Sequence, residues 1–361
     1  MMKFLAGFLA LLGALVASPA GAAGDIFTVR RVAVDATADN AADARVVAVA
    51  DGQRRALDEL LHRLTLPEDW SALPSVDEEL AQSWVRGFQI AHEKTSATRY
   101  LADLSVSFQP AQVRNLLRAR NIPFSESQAK PVLVLPVLQT PGATLLWEDA
   151  NPWRAAWSAR DLEGGLVPMV LALGDVEDLT SLDAGQVMSG DEQAILALAA
   201  RYGVDQAIVA VARMSKETNE EGISLEVELK RYGAGMIEPQ QARQITGSDP
   251  EAVMREAAEA ISQTLAVQWK RETIVHSGEG ARLRASVAFS DLAEWQTIRR
   301  RLDRVSFIKE SHIVAVSSGG AQIEVDYAGT LDTLALGLKQ QNLQLTETGG
   351  PGGQWVVSLI R

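Results

Sequence analysis

Cysteine is absent from the 361 residues. That excludes disulfides, thiolate metal sites, cysteine nucleophiles and iron–sulfur clusters. Positive charge is also short: 34 Lys plus Arg stand against 46 Asp plus Glu, giving a net charge of −12 and a pI near 5.0. A nucleic-acid partner needs a basic face that displaces counterions from phosphate, so the balance argues against that class. Histidine is rare, and His62, His92, His276 and His312 lie far apart, without metal-ligand spacing such as H-E-x-x-H. G-x-S-x-G elbows, Walker loops and G-x-G-x-x-G fingerprints are missing too. The glycine-rich stretch 349–353 joins two strand patterns and precedes no helix, so it reads as a turn and not as a phosphate cradle. These absences lower the expectation of an enzyme and point to no cofactor, no metal and no catalytic residue.

What remains is an ordinary globular composition, 47% hydrophobic and 22% charged, on a chain long enough for two or three domains. The N-terminus reads as an export signal. Lys3 supplies a positive region, residues 4–16 are apolar or small, and Ala20-Gly21-Ala22 offers a small-x-small cleavage site. The stretch is shorter than the roughly 20 residues that span a bilayer. Cleavage near Ala22 is therefore expected to leave a periplasmic protein with a net charge of −13 and no membrane span. With no cysteine, lipid attachment through a thiol is ruled out.

Two linkers, 123–131 and 272–281, rich in Pro, Gly and small polar residues, divide the mature chain into segments 25–122, 131–271 and 281–361. The first shows an alternating strand at 27–34, and then a helix over 41–64 whose apolar stripe is Val46, Val49, Ala50, Leu57, Leu60, Leu61 and Leu64. A short helix, a hairpin and a second helix follow, which makes an N-terminal β-α-β-β-α unit of α+β type. The second segment alternates buried strand patterns at 132–135, 166–173 and 206–212 with helices, which predicts an α/β sandwich on a mostly parallel sheet. The third reads β-α-β-β-α-β with one further strand, a ferredoxin-like order.

Three of the eight tryptophans, Trp147, Trp153 and Trp157, fall within eleven positions. Asn151 is a good N-cap and Pro152 suits the first helical position, so Trp153 and Trp157, four apart, share a helix face. The functional reading is a stacking platform for a sugar or a partner peptide, with Asn151, Glu148 and Arg154 supplying hydrogen bonds. The competing reading, that both helical rings cover the sheet as core, carries more weight because buried aromatic stripes are common. Carboxylates cluster at Glu148, Asp149, Asp161 and Glu163, and again at Asp175, Glu177, Asp178 and Asp183. Gly174-Asp175 follows a buried strand, where α/β ligands gather, so the functional reading of these acids is a carboxylate-based hydrolase. Helix caps and solvated loops explain such acids more often. Arg299, Arg300, Arg301 and Arg304 form the one dense basic run, in a segment with nine basic and eight acidic residues. It suits docking of an acidic partner through Arg299, Arg300 and Arg304, or simply the solvated side of a helix.

The exported N-terminus, the Phe27-Thr28-Val29 strand with its long Ala-rich helix, the strand 100–108, the apolar strand 131–136 and the Trp147, Asn151, Trp153, Trp157 string together resemble the proteobacterial family called domain of unknown function 2066. The resemblance spans about residues 26–270. It implies an envelope protein of unassigned function and carries over no catalytic residue. In strand–helix order alone the middle segment is similar to the N-terminal domain of the Tol periplasmic propeller protein and to curli-secretion-type lipoproteins. The expectation is a non-enzymatic envelope binding or assembly accessory protein, with an envelope protein or peptidoglycan as partner. The alternatives are a glycan- or peptidoglycan-binding module and a hydrolase.

Overall fold

The computed structural model describes residues 25–216, 223–233, 243–275, 280–317, 319–350 and 352–360. The export signal expected over residues 1–22 lies outside them, as do His276 and part of the second linker.

The first sheet is built from β1 (Thr28–Thr37) and, after α1 (Ala41–Leu64), a 3-10 turn (Pro67–Ala72) and α2 (Glu78–Trp84), from β2 (Val85–Thr95) and β3 (Arg99–Phe108); α3 (Pro110–Ala119) closes the unit. Its order is β1-β3-β2, antiparallel throughout. Asn40 starts α1 by accepting the Asp43 N–H at 3.0 Å. Leu57, Leu60, Leu61 and Leu64 are fully buried, as their spacing predicts. Val46, placed in the same stripe from sequence, is instead 69% exposed. In the first half of α1 the buried face runs along Ala44, Ala48, Gly52 and Ala56, one residue every four, with Ala50 and Gln53 buried beside it. These small residues let the helix settle on the sheet. A Cβ on Gly52 would lie 2.5 Å from Leu104 Cδ1 and 2.6 Å from Val34 Cγ1. Close approach, and not hydrophobicity, sets which side of the helix faces inward.

The second sheet gathers β4 (Val132–Thr140), β5 (Ala143–Leu145), β6 (Met169–Leu171), β7 (Ala207–Lys216), β8 (Ile223–Tyr232) and β9 (Arg243–Gly247). Between β5 and β6 runs α4 (Pro152–Ser158); α5 (Val176–Ser181), α6 (Ala184–Ser189) and α7 (Glu192–Arg201) precede β7, and α8 (Pro250–Thr273) follows β9. The order is β5-β4-β7-β8-β9, with β6 also on β4. Parallel pairing is confined to β4/β6 and β4/β7, while β4/β5, β7/β8 and β8/β9 are antiparallel. The mostly parallel sheet expected from strand–helix alternation is thus a mixed one. Only six residues separate the end of β7 from the start of β8, too few for the crossover of about a dozen that a parallel return needs, so the strands pair antiparallel. Both faces are covered, as in a sandwich. Trp153, Trp157, Val253, Ile261 and Leu265 pack on one, and Leu182, Val187, Ile195 and Leu198 on the other.

The third sheet comprises β10 (Ala281–Ala288), β11 (Ile308–Ser317), β12 (Gly320–Tyr327), β13 (Leu343–Thr348) and β14 (Gln354–Leu359), with α9 (Leu292–Leu302) after β10 and α10 (Leu331–Gln340) after β12. The β-α-β-β-α-β order holds, but the sheet runs β11-β12-β10-β14-β13. The last strand enters between β10 and β13, parallel to β10. The result is a mixed α and β protein with three sheets.

The C-terminal end of α8 ties the first two sheets together. Trp269 belongs to the first core and donates to the Ser127 carbonyl at 2.6 Å. Ser125 and Thr273 share a buried hydroxyl contact of 2.6 Å. The Lys270 ammonium, 3% exposed, donates to the carbonyls of His62 (3.0 Å) and Thr65 at the end of α1. Cations at helix C-termini meet unsatisfied carbonyls and the negative end of the macrodipole. Lys130 donates to Asp205 at 2.7 Å and reaches the third unit through Asn342 at 2.5 Å. Among the described residues no helix is long and apolar enough to cross a membrane.

Candidate functional site

The tryptophan string is structural. Asn151 caps α4, its Oδ1 accepting from the N–H groups of Trp153 (3.1 Å) and Arg154 (3.2 Å). Trp153 and Trp157 are fully buried and meet edge to face at 5.6 Å and 79°. Trp153 Nε1 also donates to the Ala210 carbonyl at 2.9 Å. Four-residue spacing sends both rings to one side of α4, and that side faces the sheet. The proposed stacking platform is corrected accordingly: neither ring is open to a sugar. Half-buried Trp147 donates to the Leu182 carbonyl at 2.7 Å, and Arg154 to the carbonyls of Ala172 (2.8 Å) and Leu173. Asn151 and Arg154 thereby hold backbone and leave a ligand little.

The carboxylates proposed for hydrolysis are similarly engaged. Glu148 accepts from the Leu146 N–H at 2.7 Å. Asp175 caps α5 and pairs with Arg201 at 2.7 Å. The fully buried Asp178 receives Arg201, the Tyr202 hydroxyl (2.5 Å) and the Gly174 N–H (2.7 Å). Arg201, with the backbone N–H groups of Asp178 and Glu177, holds the Asp175 carboxyl below its usual range. Burial, then the Asp178 carboxylate, pushes the Tyr202 phenol up to about 12. A carboxyl held low by arginine, as Asp175 is, is ill suited to a general acid's role, so this cluster reads as an ion-pair network in which Asp178 is buried while Asp175 and Glu177 stay exposed.

Arg299, Arg300 and Arg304 are exposed on α9 and the turn after it, whereas Arg301 turns inward to the Asn342 carbonyl at 3.0 Å. Arg299 lies 5.9 Å over the Trp295 ring. Beside them β-pairing assembles what sequence spacing hides. Glu310 pairs with Asp326 across β11 and β12, and His312 stands two residues on. Their ligand atoms all fall within 4.8 Å of one another. Arg282 already clasps both Asp326 oxygens at 2.7 and 3.0 Å, so a cation would have to displace a bidentate arginine.

A larger feature lies between the first two units. The cleft between α1 and the 3-10 turn on one side and the 159–169 loop and α8 on the other encloses about 600 Å³. Five cationic side chains line it, Arg30, Arg31, Arg63, Arg160 and Lys270, against three carboxylates, Glu59, Asp161 and Glu259. Arg63 spans the carbonyls of Ile26 (3.2 Å) and Thr28 (2.8 Å) and pairs with Glu59 at 3.0 Å. Arg160 pairs with Glu259, and Arg30 with Glu163 at 3.3 Å. Arg31 Nη1 donates to the Arg160 carbonyl at 2.8 Å, a direct bond across the cleft. Trp70, 41% exposed, meets His62 edge to face at 4.7 Å and 79°. Burial pushes the Lys270 amine down to about 8, the Glu68 charge opposing it.

Sequence reasoning passed over these residues. A signal was present: Arg30-Arg31 interrupts an alternating strand with two adjacent polar residues. The structure shows the bulge this implies, with Val29 opposite Val106 but Val32 opposite Leu104, and Arg31 at φ 56°. Bulges re-aim side chains, and here one sends Arg31 into the cleft.

A family model described as a domain of unknown function (DUF8605) matches residues 27–126. The match covers β1 to α3 and the first residues of the crossover into the second sheet. It supports an uncharacterised domain over this stretch and does not confirm identity with the 2066 family. No curated protein matches the chain.

Proposed function

We propose that the protein is an exported periplasmic binding or assembly accessory protein of the cell envelope, non-enzymatic, with an envelope protein or peptidoglycan as its partner. The observation that carries this reading is the cleft of about 600 Å³. Arginines and an accessible tryptophan from two units converge there, while the carboxylates proposed for hydrolysis are committed to helix caps and arginine. Such a recess suits recognition, since ligand sites of this size form where units meet. The apolar segment 4–16, followed by Ala20-Gly21-Ala22, supports export, as does the resemblance to the 2066 family. The exposed Arg299, Arg300 and Arg304 offer a second surface, for an acidic partner. The test is fractionation with identification of the N-terminal residue. Release by osmotic shock, with a chain beginning near Ala23, is the expected result. An intact chain retained in the cytosol would overturn the reading.

A further inference from the structure

We infer that the cleft binds an anionic sugar, one carrying a carboxylate or phosphate, by stacking it on Trp70 and clasping its charge with Arg31. The inference rests on the envelope reading and adds a ligand class to it.

Charge comes first. In a chain of net −12, five cations against three carboxylates in one recess is a local inversion of sign. Three of those arginines have carboxylate partners. Arg31 has none among the described residues; its recorded bond is one Nη1 contact to a carbonyl, on an exposed side chain. A guanidinium presents five N–H donors in a planar fork that matches carboxylate or phosphate, so most of this fork is unengaged. The Lys270 ammonium in the same cleft donates to carbonyl oxygens, and its charge adds to the potential. A neutral ligand could accept a hydrogen bond from the fork but would not neutralise its charge.

The aromatic wall argues for a ring over a bare inorganic anion. Trp70 is accessible, and His62 packed against it fixes its orientation. A rigid indole face offers a sugar large contact area at little cost in conformational entropy. Leu162, Val167 and Met169 supply apolar lining that a hydrated phosphate would not use. Asp161, whose carboxylate accepts the Gly164 N–H at 3.2 Å, lines the cleft and is placed to accept a sugar hydroxyl.

Titration calorimetry on the purified protein at low ionic strength tests this with three probes: N-acetylmuramic acid, N-acetylglucosamine 1-phosphate and neutral N-acetylglucosamine. At least one anionic sugar is expected to bind about tenfold or more tightly than the neutral one, as a charge-assisted fork implies. Arg31→Gln should erase that preference, and Arg31→Lys should restore only part of it. Trp70→Leu should weaken all three probes alike. Circular dichroism checks that each variant folds. Equal binding of charged and neutral sugars, or wild-type affinity in Arg31→Gln, overturns the proposal. If no sugar binds, yet osmotic shock releases a processed chain, the sugar inference falls while the envelope reading stands. A cytosolic intact chain defeats the envelope reading whatever the calorimetry shows.

Discussion

Lys270 offers a measurement of how the first two units are held together. Its ammonium is almost fully buried and donates to the carbonyls of His62 and Thr65. Burial lowers its pKa from 10.5 to about 8. At pH 7 the lysine is charged in both folded and unfolded chains, so the folded state carries the whole desolvation cost. Between pH 8 and 10.5 the folded chain gives up a proton that the unfolded chain keeps. The unfolded state then binds more protons, and stability rises with pH. A displacement of this size is worth about 3 kcal/mol. Lys270→Met removes the titration, although it also strands two helix-end carbonyls at about 1–3 kcal/mol each. At pH 7 these effects oppose, so a single measurement decides nothing. The pH slope does. Urea unfolding followed by far-ultraviolet circular dichroism should show the wild-type advantage over Lys270→Met growing by about 3 kcal/mol from pH 7.5 to 10.5. Tyr202, pushed up to about 12, ionises first in the unfolded chain, but it is common to both proteins and drops out of the difference. Parallel curves would refute the assignment of a desolvated, depressed lysine.

Other perturbations separate core from surface. Trp153→Ala should cost about 3–5 kcal/mol in thermal unfolding, as for a large buried aromatic, and leave sugar binding unchanged. Asp178→Ala should cost about 1–3 kcal/mol, measured by urea midpoint, because the Tyr202 hydroxyl and the Gly174 N–H lose their acceptor while Arg201 keeps Asp175 and Glu177. Asp175, held below its usual range by Arg201, should lose its stabilising pairing as pH falls from the ordinary carboxyl range through its folded pKa; the acid limb of the stability curve should flatten in Asp175→Asn. Gly52→Ala sets two effects against each other. Helix propensity favours Ala by about 1 kcal/mol, whereas a methyl 2.5 Å from Leu104 Cδ1 is overpacked at about 1–3 kcal/mol, so net destabilisation is expected on melting.

Much of the secondary structure is legible locally. The helix read at 41–64 is α1 residue for residue, because Asn40 caps it and leucines mark its second half. The Pro110 and Asn151-Pro152 starts are equally local events. Sheet topology is not local. Nothing in the patterns of β4 and β7 announces that they pair with each other, and nothing in β14 announces that it enters beside β10. Elements of three residues, such as β5 and β6, carry too few positions for a period to show, and the strand pattern read at 166–173 contracts to Met169–Leu171.

The tryptophans show why the site was harder to read than the fold. Clustering drew attention to Trp153 and Trp157, yet clustering at helical spacing is also what a core requires, and both rings are sealed. Trp70 stands alone in a turn begun by Pro67, with Glu68 and Asp69 before it, and has no pattern around it. That isolation is the reason it remains accessible: a six-residue turn with no buried residue has no inward face to offer a large ring. Its neighbours in the cleft come from β1, the 159–169 loop and α8: Arg31 stands 39 residues before it, Ala159 89 after it and Glu259 189 after it, and sequence spacing cannot encode their meeting. The latch at Trp269, Lys270 and Thr273 does encode it in three dimensions, by fixing the end of α8 against α1 and the Ser125–Ser127 crossover. A ligand held between Arg31 on β1 and the 159–169 loop would therefore close onto walls already positioned, with little rearrangement to oppose binding.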